Sequence, residues 1–296
     1  TRAEQIIQSF PNAVQTMLDP ADCGPACISL CQDIQGQTFD YPEEFFIEKI
    51  HSIRRPRPDD FQIKEAAEKI KNSKNPIIIS GGGVFYSNAM EELSNFAIKH
   101  NIPVTQTVMG YSTMKRDHSH YAGQIGGLGG KNTNDLAKET DLAIAVGTKL
   151  ADFTTGSWAN FENENFKLLS INVSRFDANK HLAQAVVGDA KVSLIELSKA
   201  LGDWKAGDEW NQKSQRELKI WNEHIDKESA PTNQEIPSYI QVIGAIYRNS
   251  DPTDIAVTAA GGLVGEVVQV WRPKELNTHE SEWGFSCMSY EISGAL

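Results

Sequence analysis

The feature that most narrows the fold is a set of short apolar runs. Residues 76–80, PIIIS, and 141–146, DLAIAV, show no alternation of apolar and polar positions. A strand with one wet face alternates; a strand without alternation is buried on both faces. Residues 103–107 and 166–173 read as strands too, and Val186-Val187 lead through Gly188-Asp189 into a helix over 191–201. Helical stretches fill the gaps. Phe61, Ala66, Ala67 and Ile70 form a stripe after the acidic start Asp59-Asp60, residues 87–100 are amphipathic, and 131–138 form a short helix. Apolar strands alternating with helices predict an α/β fold: over residues 60–202, a central doubly wound, Rossmann-like parallel sheet covered on both faces.

The pattern changes on either side of that block. Residues 1–18 read as helical stretches interrupted at Pro11, 26–30 as a short buried strand, and 36–59, with Pro42, Pro56 and Pro58, as a linker. Residues 203–235 are polar with a sparse stripe of Trp210, Leu218, Trp221 and Ile225, which predicts a helical connector. A new unit opens at Pro237 with a helix to 248, a strand over 255–258, the turn Ala259-Ala260-Gly261-Gly262 and a helix over 264–271. The chain ends in SEWGFSCMSYEISGAL, where a helix starting near Tyr290 is too short to stand alone. The expected organisation is the tail of one α/β domain (1–35), a linker (36–59), a central domain (60–202), a connector (203–235) and the truncated start of another α/β domain (236–296).

Charge excludes one class of function. With 28 Lys and Arg against 39 Asp and Glu, the net charge is -11, and wrapping nucleic acid needs clustered cations. The basic run RRPRP at 54–58 is short and proline-bounded, and reads as linker. No apolar run has the length to span a bilayer. The chain has four cysteines, which suits a reducing, cytoplasmic setting. Cys23, Cys27 and Cys31 read as buried strand cysteines rather than a zinc set. His118 and His120 sit in a polar stretch and read as solvated.

The glycine-rich stretches match no complete phosphate motif. In SGGGVFY the third small position of a dinucleotide fingerprint is Tyr86, and GQIGGLGGKN has Ile125 and Asn132 where a P-loop needs Gly and Ser or Thr. Glycine turns that start helices are the favoured reading of both. GFSCM carries Met288 where a nucleophile elbow needs glycine. No complete catalytic set is present.

The order of the pieces resembles the thiamin-diphosphate-dependent enzymes of the acetohydroxyacid synthase and pyruvate decarboxylase superfamily. GPACISLCQDIQG resembles the last strand of their first domain, with Cys31 in place of a usual proline. NPIIISGGGV and TDLAIAVGTKLADFTTG resemble the two glycine turns of their middle domain. WGFSCMSYEISGAL resembles the G-x-x-x-M-G-x-x-x-x-A segment of their third, with Ser289 in place of a glycine. TMLDPADCGPACISLCQDIQGQTFDYPEEFF, TAAGGLVGEV and EWGFSCMSYEI are similar to the branch that hydrolyses a cyclic 1,2-dione in inositol catabolism.

That resemblance implies covalent catalysis by thiamin diphosphate with Mg2+, opening a trihydroxylated cyclohexane-1,2-dione by C–C hydrolysis to 5-deoxyglucuronate. It implies that residues 1–35 end a pyrimidine-binding domain and 236–296 begin a diphosphate-binding domain. Gly261, Gly262 and Leu263 would meet phosphate at a helix start. Met288 would prop the cofactor's two rings into a bent V, beside Cys287, with main-chain groups of Ser286 and Met288 bonding the aminopyrimidine. The catalytic Glu is expected before Thr1 and the Gly-Asp-Gly metal motif after Leu296. No catalytic residue or metal ligand is therefore expected within the chain, which alone should bind no cofactor tightly and be inactive. The intact protein is expected to be a dimer or tetramer. The truncated flanks should leave apolar areas at 255–257 and 264–268 exposed or covered by another copy. Two other readings stay open: an acetolactate-synthase-like carboligase, and a non-catalytic nucleotide-binding or scaffold module on the middle sheet.

Overall fold

Every side chain of the PIIIS run is buried, and that strand lies inside a six-stranded, wholly parallel sheet. The structure is a computed structural model describing all residues, 1–296. It falls into two units, Thr1–Pro56 and Arg57–Leu296.

In the first unit, helix α1 (Ile6–Leu18) runs through Pro11 without a break. The expected interruption is absent, because a single proline removes one backbone bond, to the carbonyl four residues earlier, and leaves the rest of the ladder in place. The expected strand over 26–30 does not form: these residues carry no strand, and no residue of the unit is buried. An apolar run needs a neighbouring strand to complete its hydrogen bonds, and the unit holds none. Cys23, Cys27 and Cys31 are accordingly exposed and free rather than buried. The unit's local order comes from packed rings, such as Tyr41 stacked on Phe45 at 5.9 Å.

The second unit runs α2 (Asp60–Lys71), β1 (Pro76–Ser80), α3 (Gly82–Tyr86), α4 (Met90–His100), β2 (Val104–Gln106), β3 (Tyr121–Gln124), α5 (Lys131–Glu139), β4 (Leu142–Val146), α6 (Asp152–Thr155), β5 (Lys167–Asn172), α7 (Arg175–Ala178), β6 (Gln184–Val187) and α8 (Ala190–Leu201). It continues with α9 (Asp208–Glu228), α10 (Tyr239–Asn249), β7 (Ala256–Thr258), α11 (Leu263–Val270), β8 (His279–Ser281) and α12 (Tyr290–Gly294). The strand order β3-β2-β1-β4-β5-β6 is doubly wound, and the winding reverses between β1 and β4. Alternate residues of β1 feed opposite cores. Ile78 packs with α2, α4 and α8 through Ile70, Leu93 and Leu197. Ile77 and Ile79 pack with Leu136 of α5 and Trp210 of α9. The Trp210 indole N–H also donates to the Pro76 carbonyl at 2.9 Å, tying α9 to the start of β1.

Several expectations need correction. Phe61 is 66% exposed, and Ile63 takes its place in the α2 stripe. The helix expected over 87–100 begins at Met90, behind the separate short helix α3. The run YAGQ, not foreseen as a strand, is the edge strand β3. His120 is buried rather than solvated, with its ring between Asn101 (3.0 Å) and Ser119 (2.9 Å). Burial and the neighbouring His118 push its pKa down to about 4.

The two-stranded parallel sheet β7-β8 packs against loops of the larger sheet. Val264 and Val268 are buried against Tyr111, Val108 and Leu128, and Val267 packs with Ile243 and Trp271. The Tyr111 hydroxyl donates to the Val268 carbonyl at 2.6 Å, and the Arg116 N–H donates to the Pro273 carbonyl at 2.8 Å. The chain thus covers residues 264–268 itself. Only Ile255, 58% exposed, keeps the expected bare character. No helix is long and apolar enough to cross a membrane.

Candidate functional site

Both glycine turns sit where a parallel strand hands over to a helix, the usual place for ligands in such sheets, yet their surroundings differ. After β1, the Gly81 N–H donates to the Val146 carbonyl (2.9 Å) and the Gly83 N–H to the Gly147 carbonyl (2.8 Å). A Cβ on Gly81 would lie 2.4 Å from the Gly147 oxygen, and one on Gly83 2.6 Å from the Gly147 Cα. Backbone fills the switch point between β1 and β4, and the N–H groups of Gly81 and Gly83 are spent inside the fold.

After β7 the turn is open. A Cβ on Gly261 or Gly262 would meet nothing within 4 Å, and Gly261 has φ +100, a region that suits glycine. Gly262 caps α11, whose first N–H groups have no partner within the helix. Leu263 is exposed beside them.

The parallel pairing of β7 with β8, from Ala256↔His279 to Thr258↔Ser281, puts the segments that follow both strands at one edge. Gly261, Gly262 and Leu263 follow β7; Ser286, Cys287 and Met288 follow β8. Met288 is 87% exposed and Cys287 is exposed and free. The loop is held from within. The two carboxylate oxygens of Glu282 accept the N–H of Phe285 and of Cys287, each at 2.7 Å. Those bonds hold the Glu282 pKa below its ordinary value, and the carboxylate's proximity, after burial, raises that of the Cys287 thiol. Ser286 (φ +52) and Ser289 (φ +73) lie in the left-handed region. Trp283 sets its ring edge-on to Phe153 of α6 at 5.1 Å.

Beneath the turn, His279 of β8 is buried between Thr258 (3.2 Å) and the Tyr111 ring. Burial pushes its pKa down to about 4, so it is neutral and structural. A separate cleft along α2, flanked by Lys69 and Lys167 at the amino end of the sheet, shares no residue with either turn.

Sequence reasoning missed Glu282, Trp283 and Phe153. A usable signal existed for the first: an acidic side chain three residues before Phe285 and five before Cys287 can bond backbone ahead of it. Thiamin diphosphate fits the donor set here, since an open glycine turn with free helix N–H groups suits its diphosphate and an unbranched thioether suits its rings. No three His, Cys, Asp or Glu side chains stand together as a metal-binding group.

Comparison with known proteins agrees with this architecture. Residues 63–197 match the family model of the thiamine pyrophosphate enzyme central domain. The whole chain is 38% identical to a 3D-(3,5/4)-trihydroxycyclohexane-1,2-dione hydrolase of Clostridium tetani, covering 50% of that protein. A hydrolase of the same name from Geobacillus thermodenitrificans is 36% identical over 99% of this chain and 49% of its own length. One from Bacillus licheniformis is 37% identical over 100% and 50%. The chain spans about half the length of these relatives. Residues 63–197, which hold the larger sheet, are thus similar to a thiamine pyrophosphate enzyme central domain.

Proposed function

We propose that this chain is part of a thiamin-diphosphate-dependent hydrolase that opens a cyclic 1,2-dione by cleaving a C–C bond, as the names of its relatives describe for those proteins. One observation carries the reading: the β7-β8 pairing brings the open Gly261-Gly262 turn and the Ser286–Met288 segment to the same sheet edge. The bound cofactor would supply the nucleophilic carbon and the electron sink. This chain's residues bind and orient. N–H groups of Gly262 and Leu263 face the diphosphate, Met288 supports the rings, and main-chain groups of Ser286 and Met288 fix the aminopyrimidine. The catalytic carboxylate and the Mg2+ ligands are assigned to polypeptide outside residues 1–296, and the assembled protein to a homodimer or homotetramer in the cytoplasm.

The test compares residues 1–296 with the complete polypeptide that contains them. We expect micromolar thiamin diphosphate binding with Mg2+, and ring-opening of the dione, from the complete polypeptide only. Acetolactate formation from pyruvate with the dione untouched would replace the hydrolase reading by a carboligase. Tight binding by residues 1–296 alone would show the site to be complete within them.

A further inference from the structure

We propose that Glu282 is a positioning residue for the cofactor loop, fixing the main chain of Ser286 and Met288 in the shape that receives the aminopyrimidine. This rests on the reading of that loop given above. The carboxylate is used fully: one oxygen takes the Phe285 N–H and the other the Cys287 N–H, both at 2.7 Å. Such charge-assisted bonds are shorter and stronger than neutral ones. They close the chain from 282 to 287 into a compact turn, and Ser286, between the two donors, is held at φ +52. A serine there is strained by roughly 1 kcal/mol without support.

The consequence for binding lies in what is left over. With the N–H groups of Phe285 and Cys287 committed to the carboxylate, no hydrogen bond within the chain engages the main chain of Ser286 or Met288. Those two residues keep their donors and acceptors for a ligand. Both ends of the turn are anchored. Trp283 packs on Phe153, and the Cys287 carbonyl accepts the Tyr290 N–H at 3.2 Å as the chain enters α12. The Tyr290 hydroxyl reaches back to Glu280 of β8 at 3.3 Å. Glu282 itself makes no ion pair that would explain its placement as a surface charge.

The experiment uses the complete polypeptide as wild type, Glu282→Ala and Glu282→Gln. Amide exchange at 285–288 without cofactor reads the loop; calorimetric titration with thiamin diphosphate and Mg2+ reads the site. Glu282→Ala removes both acceptors, so exchange at Phe285 and Cys287 should accelerate and the dissociation constant should rise about 10-fold, with kcat at saturating cofactor changed far less. Glu282→Gln keeps one acceptor oxygen and should fall between. If wild type binds and Glu282→Ala binds equally tightly, the positioning role is wrong while the loop's assignment survives, even if exchange accelerates. If wild type shows no binding, the assignment of the loop fails and this role fails with it.

Discussion

The turns after β1 and after β7 are built to one plan, a short parallel strand, adjacent glycines and a helix, but only one has room for a ligand. Around Gly81 and Gly83 the neighbour is backbone, close enough that an added methyl would overlap it. Around Gly261 and Gly262 the neighbour is open space. The same letters thus do two jobs. In the first, glycine lets two main chains touch, so that β1 and β4 meet without a gap. In the second, it leaves a helix start bare. At the β1 turn the N–H groups of Gly81 and Gly83 already bond the carbonyls of Val146 and Gly147, whereas the turn after β7 leaves its helix start open to a cofactor.

The comparison is broken most directly by methyl groups. Gly81→Ala or Gly83→Ala should destabilise the second unit by about 3 kcal/mol, since the obstacle is backbone and cannot swing aside. Chemical denaturation followed by far-ultraviolet circular dichroism measures this. A loss under about 1 kcal/mol would mean that the β1 turn can open, and would restore it as a possible ligand site.

Acid should separate the two regions next. His279 underlies the open turn, and burial lowers its pKa from 6.5 to about 4. The unfolded chain takes up its proton near 6.5 while the folded chain resists until about 4. Its contribution is therefore complete above pH 6.5 and is lost as the pH falls toward 4, by roughly 2 kcal/mol at pH 5. His120 titrates in the same direction beside the larger sheet. Protection factors at 256–258 and 279–281, taken against the intrinsic exchange rate at each pH, should fall between pH 7 and pH 5 in the wild type. His279→Gln should flatten that fall, and His120→Gln should leave it in place. An unchanged slope in His279→Gln would remove the histidine as its cause.

How much was legible beforehand follows from how local each signal is. β1, β4 and β5 could be read because both of their faces are buried, so the sequence itself is unbroken and apolar. YAGQ and HES could not, since an edge strand and a three-residue strand are created by their partners, β2 and β7. The run at 26–30 failed in the reverse sense, being apolar enough for a strand but without one to pair with. The glycine turns illustrate the same limit at the site. Their positions were legible, while whether each was filled depended on Gly147, more than sixty residues away from Gly83 in sequence. The Glu282 carboxylate was likewise invisible as a loop organiser until its two N–H partners were placed.

A smaller effect probes the open region's own backbone. Ser289 has φ +73 ahead of α12 and is exposed, a conformation that costs a serine roughly 1 kcal/mol more than a glycine. Ser289→Gly should lift the local strain and slow exchange at 290–294, offset in part by the added freedom of glycine in the unfolded chain. Faster exchange there would show that the serine is not strained.

The smallest expected change in stability is the most telling about function. Gly262 has φ -66 and ψ -34, ordinary helical values, and a Cβ there meets nothing within 4 Å. Neither backbone nor packing demands glycine, so Gly262→Ala should leave the melting point unmoved, or raise stability by about 0.5 kcal/mol through the unfolded state. A fold that does not need glycine still has a reason to carry one if a ligand approaches the main chain closely. The methyl would then stand among the helix N–H groups that the diphosphate is proposed to use, and thiamin diphosphate affinity of the complete polypeptide should fall while stability does not. A parallel fall in both would make this turn a packing device like the one after β1. Stability and affinity both unchanged would place the diphosphate elsewhere along the edge.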